Sequence, residues 1–291
     1  MNSATAPSTG VRWYEEQPQL DLGNGTWAPL PPGTRTGVRV AGWRRCIGWH
    51  QPGSGRRACA FDAEIGVDAT DVQCPACAGV DPGRRLARDA AVDHRTFHAY
   101  LATFGGAEVK IGITAAERGS ARLREQGAVA WTFLARGPMT AIRSLELAVS
   151  GSGLATERVR AARKTELWWR LDPLRGRALL RDAATAVIDS VPAPPGVAWT
   201  PVNIVEHFGL FGLDGDLPPV ARRLESVAAG SVLSGRIIVA AGGTVLLDTA
   251  DGPVIAELKR LAGWELAGTD APRTGLRLGP ARRLAADPTL F

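Results

Sequence analysis

Lysine is scarce in this chain of 291 residues. Lys110, Lys164 and Lys259 are all it has, and the other basic residues in its +5 balance are arginines. That balance is compatible with anionic partners. The many alanines and glycines make the arginine usage read as coding bias as much as phosphate recognition. No apolar run approaches the ~18 residues needed to span a bilayer, so no membrane association is expected. The opening MNSATAPSTG lacks a basic stretch followed by an apolar one, which argues against a signal peptide. A soluble cytoplasmic protein is the expectation. Residues 1–10 are small and polar without periodicity and are expected to be a disordered tail. No internal repeat is visible.

The stretch from His98 to Gly127, HAYLATFGGAEVKIGITAAERGSARLREQG, has the clearest organisation. Alternating runs flank Phe104-Gly105-Gly106, a hairpin signal. Side chains alternate across a strand, so Val109, Ile111 and Ile113 share one face and Lys110, Gly112 and Thr114 the other. With Leu101 on the apolar face, His98 and Tyr100 fall on the face of Lys110. Thr114 to Glu117 has a capping-box pattern, predicting a helix that Gly127 stops. Arg118, Arg122 and Gln126 then share a helix face.

All four cysteines lie in one loop-rich stretch, as Cys46, Cys59, Cys74 and Cys77. Too few large apolar residues separate them to hold that stretch together. Four soft thiolates suit a tetrahedral structural zinc, and disulfides do not persist in the cytoplasm. His50 is either a substitute ligand or an exposed loop residue.

Elsewhere, residues 34–48 read as one strand or a short hairpin, and no element is assigned to residues 11–32. Residues 83–93, with Arg84, Arg85 and Arg88, read as a short helix. After Gly127 the alternation of Val129, Trp131, Phe133 and Ala135 predicts a third strand. A helix follows Pro138, with Met139, Ile142, Leu145 and Val149 on one side. Glu146 sits at the edge of that stripe. Either a cation lies near it or it snorkels to solvent. ATERVRAARKTELWWRL reads as helical. So do residues 173–190, with Leu174, Leu179, Leu180, Val187 and Ile188 as core. The prolines of VPAPPG mark a linker. Beyond it, a hairpin turns at Gly242-Gly243, followed by a strand or helix at VIAELKRLAGWEL. From Asp270 the tail is turn-rich, with Arg282-Arg283 on a solvated face.

These motifs resemble the GIY-YIG nuclease fold. HAYLA stands where GIY would be, and Lys110 to Gly112 stand where YIG would be. Arg122-Leu123 and Glu146 occupy the positions of that fold's arginine and glutamate. Over nearly the whole chain the sequence is similar to the bacterial domain of unknown function 2797 family. The four cysteines, HAYLATFG, VKIGIT, ARLREQGA, ARKTELWW and GTVLLD carry that likeness. The resemblance implies an α+β fold, with a small mixed or antiparallel sheet and helices in a GIY-YIG-like core. To this it adds a four-cysteine zinc segment and a small C-terminal β-rich domain. The expected boundaries are 11–90, 91–191 and 196–291.

The resemblance also implies roles. Tyr100 would be the general base and Arg122 the phosphate stabiliser, while Glu146 would hold one Mg or Mn ion. Lys110 replaces the second tyrosine, as a phosphate clamp or as a base. His98, Gly112, Gln126 and Trp168 are candidate substrate contacts. The expected function is DNA or RNA binding with metal-dependent phosphodiester hydrolysis. A non-cutting nucleic-acid module and an enzyme on a small molecule are the alternatives.

Overall fold

A computed structural model describes residues 6–23, 25–51, 55–87 and 93–284. The protein is mixed α+β, with mostly antiparallel sheets and few helices. It divides into two units, Met1–Ala91 with Pro218–Arg283, and Val92–Leu217 with Leu284–Phe291.

The second unit is built on the hairpin read from the sequence. Strand Thr96–Thr103 pairs with Val109–Ala115 on one side and Ala130–Pro138 on the other, all antiparallel. Leu101 faces Ile111, and Tyr100 faces Gly112. Helix Met139–Gly151 packs on all three strands and buries Met139, Ile142, Leu145 and Val149. Each such side chain contributes about 1.5–3 kcal/mol when fully buried. Tyr100, Ala102, Phe104 and Trp131 form a separate cluster with Leu123 and Leu167.

Several local expectations give way to packing. Thr114 stays in a strand that runs to Ala115, and its hydroxyl bonds the Ala115 carbonyl, so no capping box forms. A 3-10 turn at Ala116–Arg118 precedes a separate helix, Ala121–Gln126, ended by left-handed Gly127. Arg118 therefore lies off the Arg122 helix and pairs with Glu125. Within ATERVRAARKTELWWRL only Ala161–Glu166 is α-helical, followed by a 3-10 turn at Leu167–Arg170. Thr156 instead bonds the main chain of Val109 and Ile111, extending the sheet edge. Helix Pro173–Ser190 forms as read, but buries Gly176, Leu180, Ala184 and Val187. Leu174 is 78% exposed and Ile188 is also exposed. VPAPPG is not a boundary between units. After it, Ala198–Trp199 and Val205–Glu206 add to the same sheet along Ala130–Pro138.

The first unit holds an eight-stranded sheet. Its order is Glu265–Gly268, Arg35–Ala41, Val232–Ala241, Thr244–Thr249, Gly252–Glu257, Val220–Ser226 and Arg277–Leu278, with Arg282–Arg283 also on Val220–Ser226. Gly242-Gly243 forms the expected turn, with Ala241 opposite Thr244. Residues 11–90 and 196–291 are not separate domains, because Arg35–Ala41 is inserted between two C-terminal strands. Residues 11–32, to which no sequence pattern gave an element, form a three-stranded antiparallel sheet. The expected tail is ordered at Ser8, which is buried and bonded to the Trp264 main chain. Residues 1–5 and Arg88 lie outside the described residues. Helix Pro82–Ala87 carries Arg84, paired with Asp71. No helix among the described residues is long and apolar enough to cross a membrane.

Candidate functional site

Two constellations carry chemistry, one in each unit. In the first, the ligand atoms of Cys46, Cys59, Cys74 and Cys77 all lie within 4.8 Å of one another. The Sγ atoms of Cys59 and Cys74 are 3.8 Å apart. A tetrahedral site with Zn–S near 2.3 Å requires sulfurs about 3.8 Å apart, so the cluster is compatible with structural zinc. Cys74 precedes helix Pro75–Val80, whose first turn presents Cys77. The Gly48 and Cys74 N–H groups donate to Cys46 Sγ at 3.4 and 3.2 Å. Such bonds favour a thiolate, while burial pushes the Cys46 thiol up. Gly48 is left-handed (φ +72°), and a Cβ there would lie 1.8 Å from the Arg57 carbonyl oxygen. His50 is exposed and outside the cysteine group.

The cysteines do not hold this loop alone. Buried Arg44 donates to the carbonyls of Ala262, Gly66, Val67 and Ala69. Arg45 pairs with Asp62 and Glu265. Nothing in the sequence distinguished these two arginines from the others.

In the second unit, Tyr100, Lys110, Gly112, Arg122, Gln126 and Glu146 gather around the hairpin. Tyr100 is only 1% exposed, and its hydroxyl accepts from Gln126 Nε2 at 2.7 Å. Burial raises its pKa, with Arg122 opposing. A Cβ on Gly112 would stand 2.4 Å from the Tyr100 hydroxyl and 2.8 Å from Lys110 Nζ. Both polar tips thus use the space that glycine leaves. Lys110 Nζ donates to the Ile111 carbonyl at 2.9 Å and lies 5.5 Å from the Tyr100 ring centre. Burial lowers its pKa to about 8, Glu146 raising it and Arg122 lowering it further.

Glu146 is 9% exposed, so it does not snorkel. Arg143 is 3.8 Å away, the cation its position called for. Among the described residues the cysteines are the one group of three or more metal-ligating side chains. Arg122 is about half exposed and 3.8 Å from Glu125.

Lys164 joins this cluster without any pattern in the sequence having singled it out. Its Nζ donates to the Gln126 carbonyl at 3.0 Å and lies 3.8 Å from the Phe104 ring centre. Burial, then Lys110 and Arg122, bring its pKa down to about 8. It therefore clamps the residue that bonds the Tyr100 hydroxyl. The one sequence hint was the rarity of lysine, since two of the chain's three lysines meet here. His98 stacks on Phe133 at 4.3 Å. Trp168 is buried, with Trp169 stacked on it at 6.3 Å, so it packs the unit instead of offering a free ring.

No family model, curated protein or solved structure matches the chain. What defines it is a mixed α+β fold with a four-cysteine cluster in one unit and a lysine–arginine–tyrosine cluster in the other.

Depressed lysine pKa values have a definite pH signature. Without an anion, the folded state holds fewer protons than the unfolded state between about pH 8 and the ordinary 10.5. Stability from these two groups therefore rises with pH across that window. An anion held at these lysines would go the other way, because it is attracted to their charged forms. Its binding should weaken from about pH 7 to about pH 9, with proton uptake on binding near pH 8. Titrations in buffers of different ionisation heat measure the uptake; pH-independent binding would exclude the lysines from the contact.

Proposed function

We propose that the 92–217 unit binds the phosphate backbone of a nucleic acid at Lys110, Arg122 and Lys164, and hydrolyses a phosphodiester there. The supporting observation is that Lys110 and Lys164 are half-buried cations whose pKa is depressed in part by Arg122. Assembling like charges out of water is costly, and a phosphate between them removes that cost. The order of Tyr100, Lys110, Arg122 and Glu146 also fits the GIY-YIG-like reading.

The acidities favour Lys110 over Tyr100 as the base. With its pKa lowered to about 8, Lys110 keeps a minor neutral fraction around physiological pH, whereas burial moves the phenol away from that range. The minor neutral form of Lys110 would take the proton of the attacking water, and Arg122 and Lys164 would balance the charge growing on the phosphate. Tyr100, accepting from Gln126, keeps its own proton for a phosphate oxygen. Glu146 would hold one Mg or Mn, which would supply positive charge for the leaving oxygen. In the other unit, the four cysteines would hold a structural zinc.

A second reading is a module that binds without cutting. The near-complete enclosure of Tyr100 favours it. A screen over single- and double-stranded DNA and RNA with magnesium or manganese separates the two. Hydrolysis is expected to be lost in Arg122→Ala and reduced about a hundredfold or more in Glu146→Gln. Binding with no cleavage under any condition selects the module, and cleavage unchanged in Arg122→Ala would displace the site.

A further inference from the structure

A cleft of about 220 Å³ lies beside the hairpin turn at Gly105 and Gly106, lined by Arg163, Arg170, Arg175, Asp172 and Leu167. We propose that it is a second phosphate subsite, taking another phosphate of the nucleic-acid strand held at Lys110, Arg122 and Lys164. Its ligand class rests on the function proposed above.

Three consecutive pieces of chain supply the arginines: helix Ala161–Glu166, the turn Leu167–Arg170 and the first turn of Pro173–Ser190. Many arginines of this protein are engaged. Arg84 pairs with Asp71, Arg95 with Asp93, Arg118 with Glu125 and Arg177 with Glu206. Among the described residues, the side chains of Arg163, Arg170 and Arg175 have no hydrogen bond or ion pair. Asp172 caps the helix, its Oδ1 accepting the Arg175 backbone N–H at 3.0 Å, and its single negative charge offsets only one of the three arginines. Three guanidinium forks thus face one opening against one carboxylate. Planar forks match phosphate oxygens better than any other side chain.

The cleft borders the first cluster. Lys164 follows Arg163 in the chain, and the Phe104 ring beneath its Nζ precedes Gly105 at the cleft wall. The lining is exposed arginine and glycine main chain, with Leu167 buried beneath. This suits an open backbone contact better than a closed pocket for a base.

The test compares wild type, Arg163→Gln/Arg170→Gln/Arg175→Gln and Arg122→Gln for binding a single-stranded oligonucleotide over a range of salt. All three cleft side chains are exposed, so the thermal midpoint of the triple variant should match wild type. The triple variant is expected to bind about tenfold or more weakly, with the salt slope reduced by about 0.7 for each phosphate it no longer neutralises. Unchanged affinity and slope overturn the subsite. Weakening in the triple variant but not in Arg122→Gln keeps the cleft and removes the function assigned to the Lys110 cluster. A wild-type protein that binds no oligonucleotide overturns both. A 5′-phosphorylated oligonucleotide that binds more tightly than its 5′-hydroxyl form, with the gain abolished in the triple variant, assigns a terminal phosphate. Equal affinity for the two forms, with the triple variant still weakened, assigns an internal one.

Discussion

Replacing Cys74 with serine, or stripping metal with a chelator, is expected to unfold the loop from about residue 44 to residue 80. Around the cysteines the buried neighbours are few: Ile65, with Trp49 and Ala63 partly buried. Such a set is too small to repay the conformational entropy of ordering the loop, at about 1–2 kcal/mol per residue for the backbone alone. A structural zinc can supply about 10–16 kcal/mol at neutral pH. Arg44 adds bonds to four carbonyls, so the turn at 66–69 should resist longest. Limited proteolysis and hydrogen exchange before and after chelation measure the effect, with zinc content determined alongside. An unchanged cleavage pattern in the stripped protein would show that the thiols alone, with Arg44, hold the loop.

Gly112→Ala should damage the candidate site of the other unit most directly. The added methyl would lie 2.4 Å from the Tyr100 hydroxyl, 2.5 Å from its Cζ and 2.8 Å from Lys110 Nζ. Lys110 can swing outward, but the enclosed Tyr100 ring cannot. Overpacking of this kind costs about 1–3 kcal/mol. It would also part the phenol from Gln126 and push the ammonium out of its place. Urea unfolding gives the stability, and oligonucleotide titration gives the binding. Gly151→Ala is the control. It ends helix Met139–Gly151 with nothing within 4 Å of the added carbon, so it should be neutral or stabilising by up to about 1 kcal/mol. Equal effects from the two substitutions would mean that the crowding above Gly112 is not real.

The hairpin was legible because period-two alternation is a local property. Val109, Ile111, Leu101 and the Gly-Gly turn dictate their own faces. Helix Met139–Gly151 was legible for the same reason at period 3.6, and its buried carboxylate stood out against the stripe. The capping box at Thr114 failed because sheet pairing holds that residue extended. Leu174 looked like core by type, yet its helix buries the face of Gly176, Leu180, Ala184 and Val187 and leaves Leu174 in water.

By itself the sequence determined where the chemistry-bearing residues lie. Four cysteines fall in a stretch too poor in apolar residues to fold unaided, and a tyrosine, lysine and glycine share one face of a hairpin before an arginine-bearing helix. Spacing and alternation are enough for that, since they act over a few residues. Tertiary structure decided the rest. It set Arg35–Ala41 between C-terminal strands and carried the chain past its proline-rich stretch back into the same sheet. It also brought Lys164 to Gln126 across 38 residues of sequence. Those pairings depend on which distant surfaces bury each other, and no local pattern encodes that.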